Sequence, residues 1–362
     1  MPPLHVIFYS IVPSPYQRDL FYALSLCPEI QLQVYYLEQV SPDSPWEQKQ
    51  LQPYEQVLPG RFIVWGLSRF HLNWHVPFKQ TDIVVLNGYQ NLTAQIILHL
   101  RAKRVPCVFW GEKMVATSTG IKGVLQQILA VGLNRCQAIA AIGTKAQQSY
   151  LQQFPDKPIF DIPYYCKLSP FSDRPSRPRH PITILFCGQM IERKGVDLLL
   201  NAFERLIQMG LPARLLLVGR EAELLQMYKA IAPSTLQHIQ YAGFQEPEHL
   251  PTFFQQADLF VLPSRYDGWG VVVNQALGAG LPIICSDAVG SAQDLVEPGV
   301  NGAIFPAGDA EALFQALAHY LQNPQAIQSA SQASQLKAEE WSPQVGAERW
   351  LKVFKKLTDS SD

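Results

Sequence analysis

Residues 261–302 read VLPSRYDGWGVVVNQALGAGLPIICSDAVGSAQDLVEPGVNG. The apolar run entering this stretch stops at Leu262. A loop with Asp267, Gly268 and Gly270 follows, then a helical pattern over 270–280, then a second apolar run over 282–285. Apolar strand, loop, helix and apolar strand in that order form the repeating unit of a parallel sheet covered on both faces. Glycines in such a loop let backbone N–H groups come close to a ligand. The helix N-terminus behind them adds partial positive charge, worth up to ~2 kcal/mol to an anion in good geometry. The loop can therefore cradle a diphosphate without a metal. Asp267 and Gln275 stand eight residues apart, one in the loop and one more than a turn into the helix, so both can reach one ligand.

The same alternation continues outward. Strands are expected at 182–187, 213–218, 238–242, 258–262, 282–285 and 302–305. Helices are expected at 195–208, 221–230, 248–256, 270–280, 310–321 and 325–337. Ahead of them, LSPFSDRPSRPRHP at 168–181 is rich in Pro, Ser and Arg and reads as an interdomain linker. The first half alternates too, with strands near 4–10, 31–37, 82–86, 106–110, 137–142 and 158–162. Its helices fall at 16–26, 91–103, 121–135 and 144–153. The pattern predicts two Rossmann-like, doubly wound α/β domains, 1–167 and 182–342, facing a central cleft. Open α/β sheets bind ligands at the carboxyl ends of their strands. A last helix over 343–357 carries Trp350, Leu351, Phe354 and Leu357 on one face.

Composition narrows the function classes. The 362 residues are 48% hydrophobic and 16% charged, a globular balance that suits two domains. A net charge of −1 gives no whole-chain attraction to nucleic acid. Residues 1–167 hold 14 Lys/Arg against 10 Asp/Glu, and the remainder holds 15 against 20. This mildly basic first half leaves open a peripheral membrane contact or an anionic acceptor. The six cysteines form no CxxC pair, and a zinc site is not expected. MPPLHVIFYS leads straight into a strand rather than a signal peptide, and no apolar run reaches the ~18 residues of a membrane span. The expectation is a cytoplasmic protein. No G-x-G-x-x-G follows the first strand, which argues against a dehydrogenase.

Several stretches together resemble glycosyltransferase family 4, which has the GT-B fold. Residues 263–284 follow its pattern of PS-x-x-acid-G-aromatic-G, a second acid eight residues after the first, and A-x-x-x-G-x-P. FCGQMIERKGVDLLLNAF at 186–203, LLLVG at 215–219, YAGF at 241–244 and ADLFVLPS at 257–264 add to it. The resemblance spans 182–337 well and is weaker over 1–165. It implies a nucleotide-sugar donor domain at 182–342. It also implies an acceptor domain at 1–167 completed by 343–362. Arg193 and Lys194 match the cationic pair that holds the donor diphosphate and steadies the leaving group. Asp267 matches the acid that contacts the transferred sugar, and Gln275 matches the acid that holds the ribose. Gly188, Gly268, Trp269, Gly270 and Val271 fall in the donor loops, and Phe244 and Gln245 match the loop that reads the nucleobase. Asp267 and Gln275 replace glutamates of the family pattern, and Gln189 stands where many members carry Arg. An amide offers the ribose one acceptor where a carboxylate offers two.

The resemblance further implies a retaining transfer, in polysaccharide or glycolipid biosynthesis among other pathways, with a hydroxyl acceptor. No D-x-D motif occurs, so neither metal nor other cofactor is expected. In the first half, IVPSPYQR at 11–18 follows a strand and should line the cleft, making Ser14, Pro15 and Tyr16 acceptor candidates. Trp110 and Glu112 follow another strand at the same edge, with Glu112 the general-base candidate. RFIVWGLSRFHLNWHVPF at 61–78 reads either as an acceptor platform or lipid-facing edge, or as a buried edge of the sheet. His71 and His75 have helical i, i+4 spacing but no third ligand. The rival readings are a non-catalytic sugar-nucleotide or glycan-binding paralogue, motivated by Gln275 and Gln189, and a sugar-nucleotide epimerase.

Overall fold

The computed structural model describes residues 2–40, 46, 49–65, 68–73, 81–114, 121–172 and 180–359. The chain forms two compact units, Met1–Tyr165 with Pro343–Asp362, and Cys166–Ser342. Each is built on one parallel sheet.

In the first unit, β1 (Leu4–Ser10), β2 (Ile30–Tyr36) and β3 (Glu55–Val57) lie on one side of the sheet. A two-stranded antiparallel hairpin, β4 (Arg61–Trp65) and β5 (Ser68–Leu72), follows. Then come β6 (Ile83–Leu86), β7 (Cys107–Gly111), β8 (Ala138–Ala141) and β9 (Ile159–Asp161). The seven-stranded order is β3-β2-β1-β6-β7-β8-β9. Central strands such as IVVL of β6 are buried along their whole length because helices cover both faces. The helix Pro343–Asp359 closes one face. Its Trp350 ring meets Phe8 at 5.3 Å and Trp110 at 5.6 Å, both edge-on, and Phe354 meets Phe8 at 6.3 Å.

The second unit holds β10 (Ile182–Cys187), β11 (Ala213–Val218), β12 (Ile239–Tyr241), β13 (Leu259–Leu262), β14 (Ile283–Ser286) and β15 (Gly302–Phe305). Their order is β12-β11-β10-β13-β14-β15, all parallel. The helix Val196–Gln208 buries Val196, Leu199, Leu200, Phe203 and Leu206. It packs against the helix Ala310–Gln322, which Asp309 caps by accepting from Ala312 N at 2.9 Å. Strand order reverses direction between β1 and β6 in the first sheet and between β10 and β13 in the second. Loops leaving the strands at such a switch point part to opposite faces and open a crevice.

The structure departs from the sequence reading in several places. Residues 61–65 and 68–72 are not a buried edge of the main sheet. They form a separate hairpin with Phe62 and Ile63 exposed. His71 sits on a strand, where i, i+4 spacing has no meaning, and His75 lies outside the described residues. The expected helix 91–103 is an α-helix only over Leu92–Ile96 and widens to a π-helical turn at Ile97–Arg101. Within the supposed linker, Ser169–Phe171 form a 3₁₀ turn whose Phe171 ring is buried against Phe254 at 5.2 Å. Residues 173–179 of that linker lie outside the described residues. Among the described residues, no helix is long and apolar enough to cross a membrane.

Candidate functional site

The switch point of the second sheet gathers the loops after β10 and β13. After β10 the chain makes a 3₁₀ turn at Glu192–Lys194 and reaches Gly195 at φ +71°. A Cβ on Gly195 would lie 2.0 Å from Pro263 O, so only glycine lets the two loops touch. Arg265 then staples them. Its guanidinium meets Asp197 Oδ1 and Oδ2 at 2.7 and 2.6 Å and donates to Glu192 O at 2.6 Å, while its N–H donates to Arg193 O at 2.8 Å. The Asp197 carboxylate beside it, more than burial opposes, holds the Arg265 guanidinium above its ordinary value. Neither Arg265 nor Asp197 was singled out by the sequence reading. The bond between them joins positions 68 residues apart, and nothing local announces it.

On this scaffold Lys194 Nζ lies 2.5 Å from Asp267 Oδ2, with the two side chains 15% and 13% exposed. Arg193 is exposed and donates to Tyr266 O at 2.9 Å. The loop carrying Asp267 is itself clamped. Asp267 N donates to Ala288 O at 3.2 Å, Gly290 N to Asp267 O at 3.0 Å and Ser291 N to Trp269 O at 2.9 Å. Gly270, at φ +84°, turns the chain into the helix Val271–Gly278, whose free N–H groups and dipole point at the same place. Gln275, one turn on, has a buried Oε1 without a hydrogen-bond partner. Gly188 and Gln189 leave β10 at the same edge, half-buried. Phe244 is exposed on the loop after β12, and Gln245 beside it donates to Ala242 O at 2.6 Å. The neighbouring Cys187 thiol is pushed up to about 12 by burial, which keeps it protonated and inert.

Trp269, named among the donor-loop residues, turns its side chain into the core. It is 1% exposed, its Nε1 donates to Asn274 Oδ1 at 2.8 Å, and its ring lies 6.1 Å from Trp341. It anchors the loop from below.

The switch point of the first sheet holds a cavity of about 480 Å³ between the loops after β1, β6 and β7. Tyr16 and Glu112 line it. Tyr16 stands edge-on to Tyr164 at 4.9 Å. The Tyr164 phenol is raised well above its usual value, first by burial and then by Tyr16 and Glu112. Ser14 is 2% exposed and donates to Gln17 Oε1 at 3.0 Å. Pro15 opens the helix Pro15–Ser25 and is not among the lining residues. The Trp110 side chain belongs to the core. It is 0% exposed and donates through Nε1 to Ile162 O at 2.8 Å, so an acceptor role falls to its backbone at most. His71 was missed as a cavity residue. It lines the wall with its Nε2 3.4 Å from Glu38 Oε1, both side chains buried. Its two-residue spacing from Asn73, also buried, is the strand signal that places it inward.

Comparison with known proteins puts these two sites in context. Residues 171–337 match the family model described as Glycosyl transferases group 1. Phosphatidyl-myo-inositol mannosyltransferase of Mycobacterium leprae is 29% identical over 187 residues, 51% of this chain and 49% of that protein. The chain spans about half the length of the curated relatives it matches. Among solved structures, sucrose-phosphate synthase from Thermosynechococcus elongatus superposes with a TM-score of 0.75 at 17% identity, covering 99% of this chain and 100% of that one. The Anabaena protein HepE in complex with UDP gives 0.72 at 14% identity, covering 98% and 100%. The chain thus has the GT-B fold of two Rossmann-like domains, and its residues 171–337 carry the match to the group 1 glycosyl transferases.

Proposed function

We propose that the protein is a glycosyltransferase that moves a sugar from a nucleoside diphosphate to a hydroxyl acceptor, with retention and without a metal. The observation that carries this reading is the Lys194–Asp267 pair beside Arg193 at the switch point of the second sheet, in front of the Gly270 turn. The cations and helix N-terminus suit the donor diphosphate, and Asp267 suits sugar hydroxyls. The buried, unpartnered Gln275 Oε1 suits a ribose hydroxyl. In the reaction the bond from the anomeric carbon to the phosphate oxygen breaks. The bond to the acceptor oxygen forms on the same face, and the acceptor proton passes to the departing phosphate. Arg193 and Lys194 stabilise the charge that grows on that phosphate, and Asp267 orients the sugar. Glu112, at the cavity of the first domain, stands with the acceptor. Gathered cations in place of a carboxylate cluster support diphosphate binding without metal. Among the described residues no three His, Cys, Asp or Glu gather to hold an ion.

The test is a thermal-shift panel of UDP, GDP, ADP and their sugar conjugates in EDTA, followed by NMR of the product's anomeric proton. One nucleotide family raising the melting temperature, and transfer with retained configuration, is the expected result. Strong inhibition by EDTA reversed by Mn²⁺ would overturn the metal-free part. Binding without transfer to any acceptor would favour the non-catalytic paralogue.

A specific surface also favours a peripheral membrane contact by the first domain of a cytoplasmic enzyme. Leu100, Val124, Ile128 and Val131 are 56–67% exposed. Val124, Ile128 and Val131 follow one another at helical spacing, and Arg135 Nη1 donates to His99 O at 3.4 Å, tying their segment to that of Leu100. Arg101, Lys103, Arg104 and Arg135 on the same segments are exposed, and residues 97–135 hold six Lys/Arg and one acidic residue. An apolar stripe accompanied by cations fits an anionic lipid surface, with about 1 kcal/mol from each cation near it. Co-sedimentation with phosphatidylglycerol vesicles, lost on Ile128→Asp and absent with phosphatidylcholine alone, is expected. Equal binding by the variant would sink the proposal.

A further inference from the structure

The turn that carries Arg193 and Lys194 is held from two sides by bonds to distant residues. Glu192 N donates to Glu223 Oε2 at 2.8 Å, and Glu223 N donates to Met190 O at 2.9 Å. On the other side stands Arg265. Its Nη1 donates to Glu192 O at 2.6 Å, and its backbone N–H donates to Arg193 O at 2.8 Å. The same guanidinium grips Asp197, Nη1 to Oδ1 at 2.7 Å and Nη2 to Oδ2 at 2.6 Å. Asp197 lies in the first turn of the helix Val196–Gln208, whose apolar face is buried. The pair therefore ties the loop after β13 to a rigid element and closes it on the Glu192–Lys194 turn.

The grip reaches both cations of the turn. Arg193 Nη1 donates to Tyr266 O at 2.9 Å, one residue beyond Arg265. Lys194 Nζ meets Asp267 Oδ2 at 2.5 Å, one residue further. The bonds run in register, from 193 to 265 and 266 and from 194 to 267, so slackening at Arg265 would pass to both cations. A displacement of about 1 Å takes a charge-assisted bond of about 2.8 Å beyond hydrogen-bond length. As a stability device the pair is weak, since both side chains are 32% exposed and exposed ion pairs add little. Its bidentate geometry fixes direction instead, which is what an ordered binding loop needs.

We infer that Asp197 and Arg265 are positioning residues for the diphosphate, holding Arg193 and Lys194 at the ligand and acting through them without a phosphate contact of their own. That a diphosphate is the ligand rests on the glycosyltransferase reading. That the turn is gripped rests on the bonds alone. The charge of Asp197 separates this role from plain electrostatics. Asp197 brings negative charge to the neighbourhood of an anion site, so by Coulomb's law alone its neutralisation would tighten the ligand. A lost grip has the opposite sign.

The test is calorimetric titration of UDP, GDP, ADP and inorganic pyrophosphate into the full chain and into Asp197→Asn, Arg265→Lys and the double variant. Each single variant should weaken the nucleotide that the wild type binds by at least about fivefold, although Asn removes a negative charge and Lys keeps the positive one. The double variant should lie within about twofold of the weaker single one, because both break one grip. Melting temperatures should fall by no more than about 4 °C, which separates positioning from a general loss of stability. Amide exchange should quicken in Asp197→Asn at Lys194 and Gly195, whose N–H groups close the turn onto Ile191 O and Glu192 O. Four results would overturn the inference and leave the transferase reading standing: nucleotide bound by Asp197→Asn as tightly as by wild type or more, wild-type affinity in Arg265→Lys, losses that add in the double variant, or unchanged exchange at the turn. If the wild type binds no nucleotide, that reading falls and pyrophosphate decides alone. Weakening of pyrophosphate by both single variants would then uphold the pair, and equal binding or none would overturn it.

Discussion

Replacing Lys194 by Met separates what the ion pair does for the fold from what it does for the ligand. Lys194 Nζ and Asp267 Oδ2 lie 2.5 Å apart, with side chains 15% and 13% exposed. In so enclosed a pair, desolvation offsets most of the attraction, so the pair itself adds little stability. Removing one partner is different, because Asp267 is then left charged in a mostly dry site. Fully buried, such a lone charge costs about 3–5 kcal/mol; the residual exposure here brings the expected loss to about 2 kcal/mol. For a domain of roughly 150–250 residues that is a fall in Tm of about 4–8 °C. Adding Asp267→Asn removes the stranded charge and should recover at least half of the loss. Nucleotide affinity should not recover. On the proposed function Lys194 gives the diphosphate a charge-assisted bond worth about 1.5–3 kcal/mol, so UDP or GDP should bind roughly 10- to 150-fold more weakly to both variants. Denaturant unfolding followed by tryptophan fluorescence reads the first quantity and calorimetric titration the second. A double variant no more stable than Lys194→Met would refute the account of the pair. Wild-type nucleotide affinity in either variant would remove Lys194 from the site.

Other substitutions probe the remaining supports. Gly195→Ala forces a Cβ to 2.0 Å from Pro263 O at φ +71°, and should cost more than about 2 kcal/mol while displacing Arg193 and Lys194; an unchanged unfolding midpoint with intact nucleotide binding would refute the close approach. Gln275→Glu should tighten nucleotide binding up to about tenfold while lowering the stability of the free protein, since the buried Oε1 has no partner until a ligand arrives. Equal affinity for both would mean that the amide serves the ribose as well as a carboxylate. Trp350→Ala should cost the first domain about 3–5 kcal/mol, seen as a lower-melting calorimetric transition, with nucleotide binding by the second domain retained. In native protein Cys187 should not react with Ellman's reagent near neutral pH, because burial holds its thiol at about 12; rapid modification would mean that the strand end opens.

Both sheets were legible because each central strand is a short, almost uninterrupted apolar run, as in LFVL of β13 and IVVL of β6. Strand ends agree with the sequence reading within one or two residues over β10 to β15. The family resemblance placed Lys194 and Asp267 at one donor, but the adjacency of β10 and β13 that brings their loops together is seen only in the structure. The hairpin β4–β5 was not legible, because its residues mix exposed apolar and buried polar side chains, Phe62 and Ile63 out, His71 and Asn73 in. The sequence reading put Trp269 in the donor loop and Trp110 among the acceptor candidates. Only packing shows that their rings turn into the core and their indole N–H groups are already spent. Arg265, Asp197 and the His71–Glu38 pair act through partners distant in the chain, where periodicity carries no information.

The helix Pro343–Asp359 has a consequence for the order in which the protein is made. Phe8 and Trp110 are made before the second domain, yet the Trp350 ring that covers them is made only after it. A nascent first domain therefore waits, with an apolar face uncovered, through the synthesis of the whole second domain. Translation past residue 350, rather than completion of the first 165 residues, licenses that domain to close. A ribosome stalled just short of it would hold a chain with a finished second domain and one sticky, unfinished sheet. Premature stop codons anywhere before Trp350 should accordingly give aggregation rather than a folded first domain.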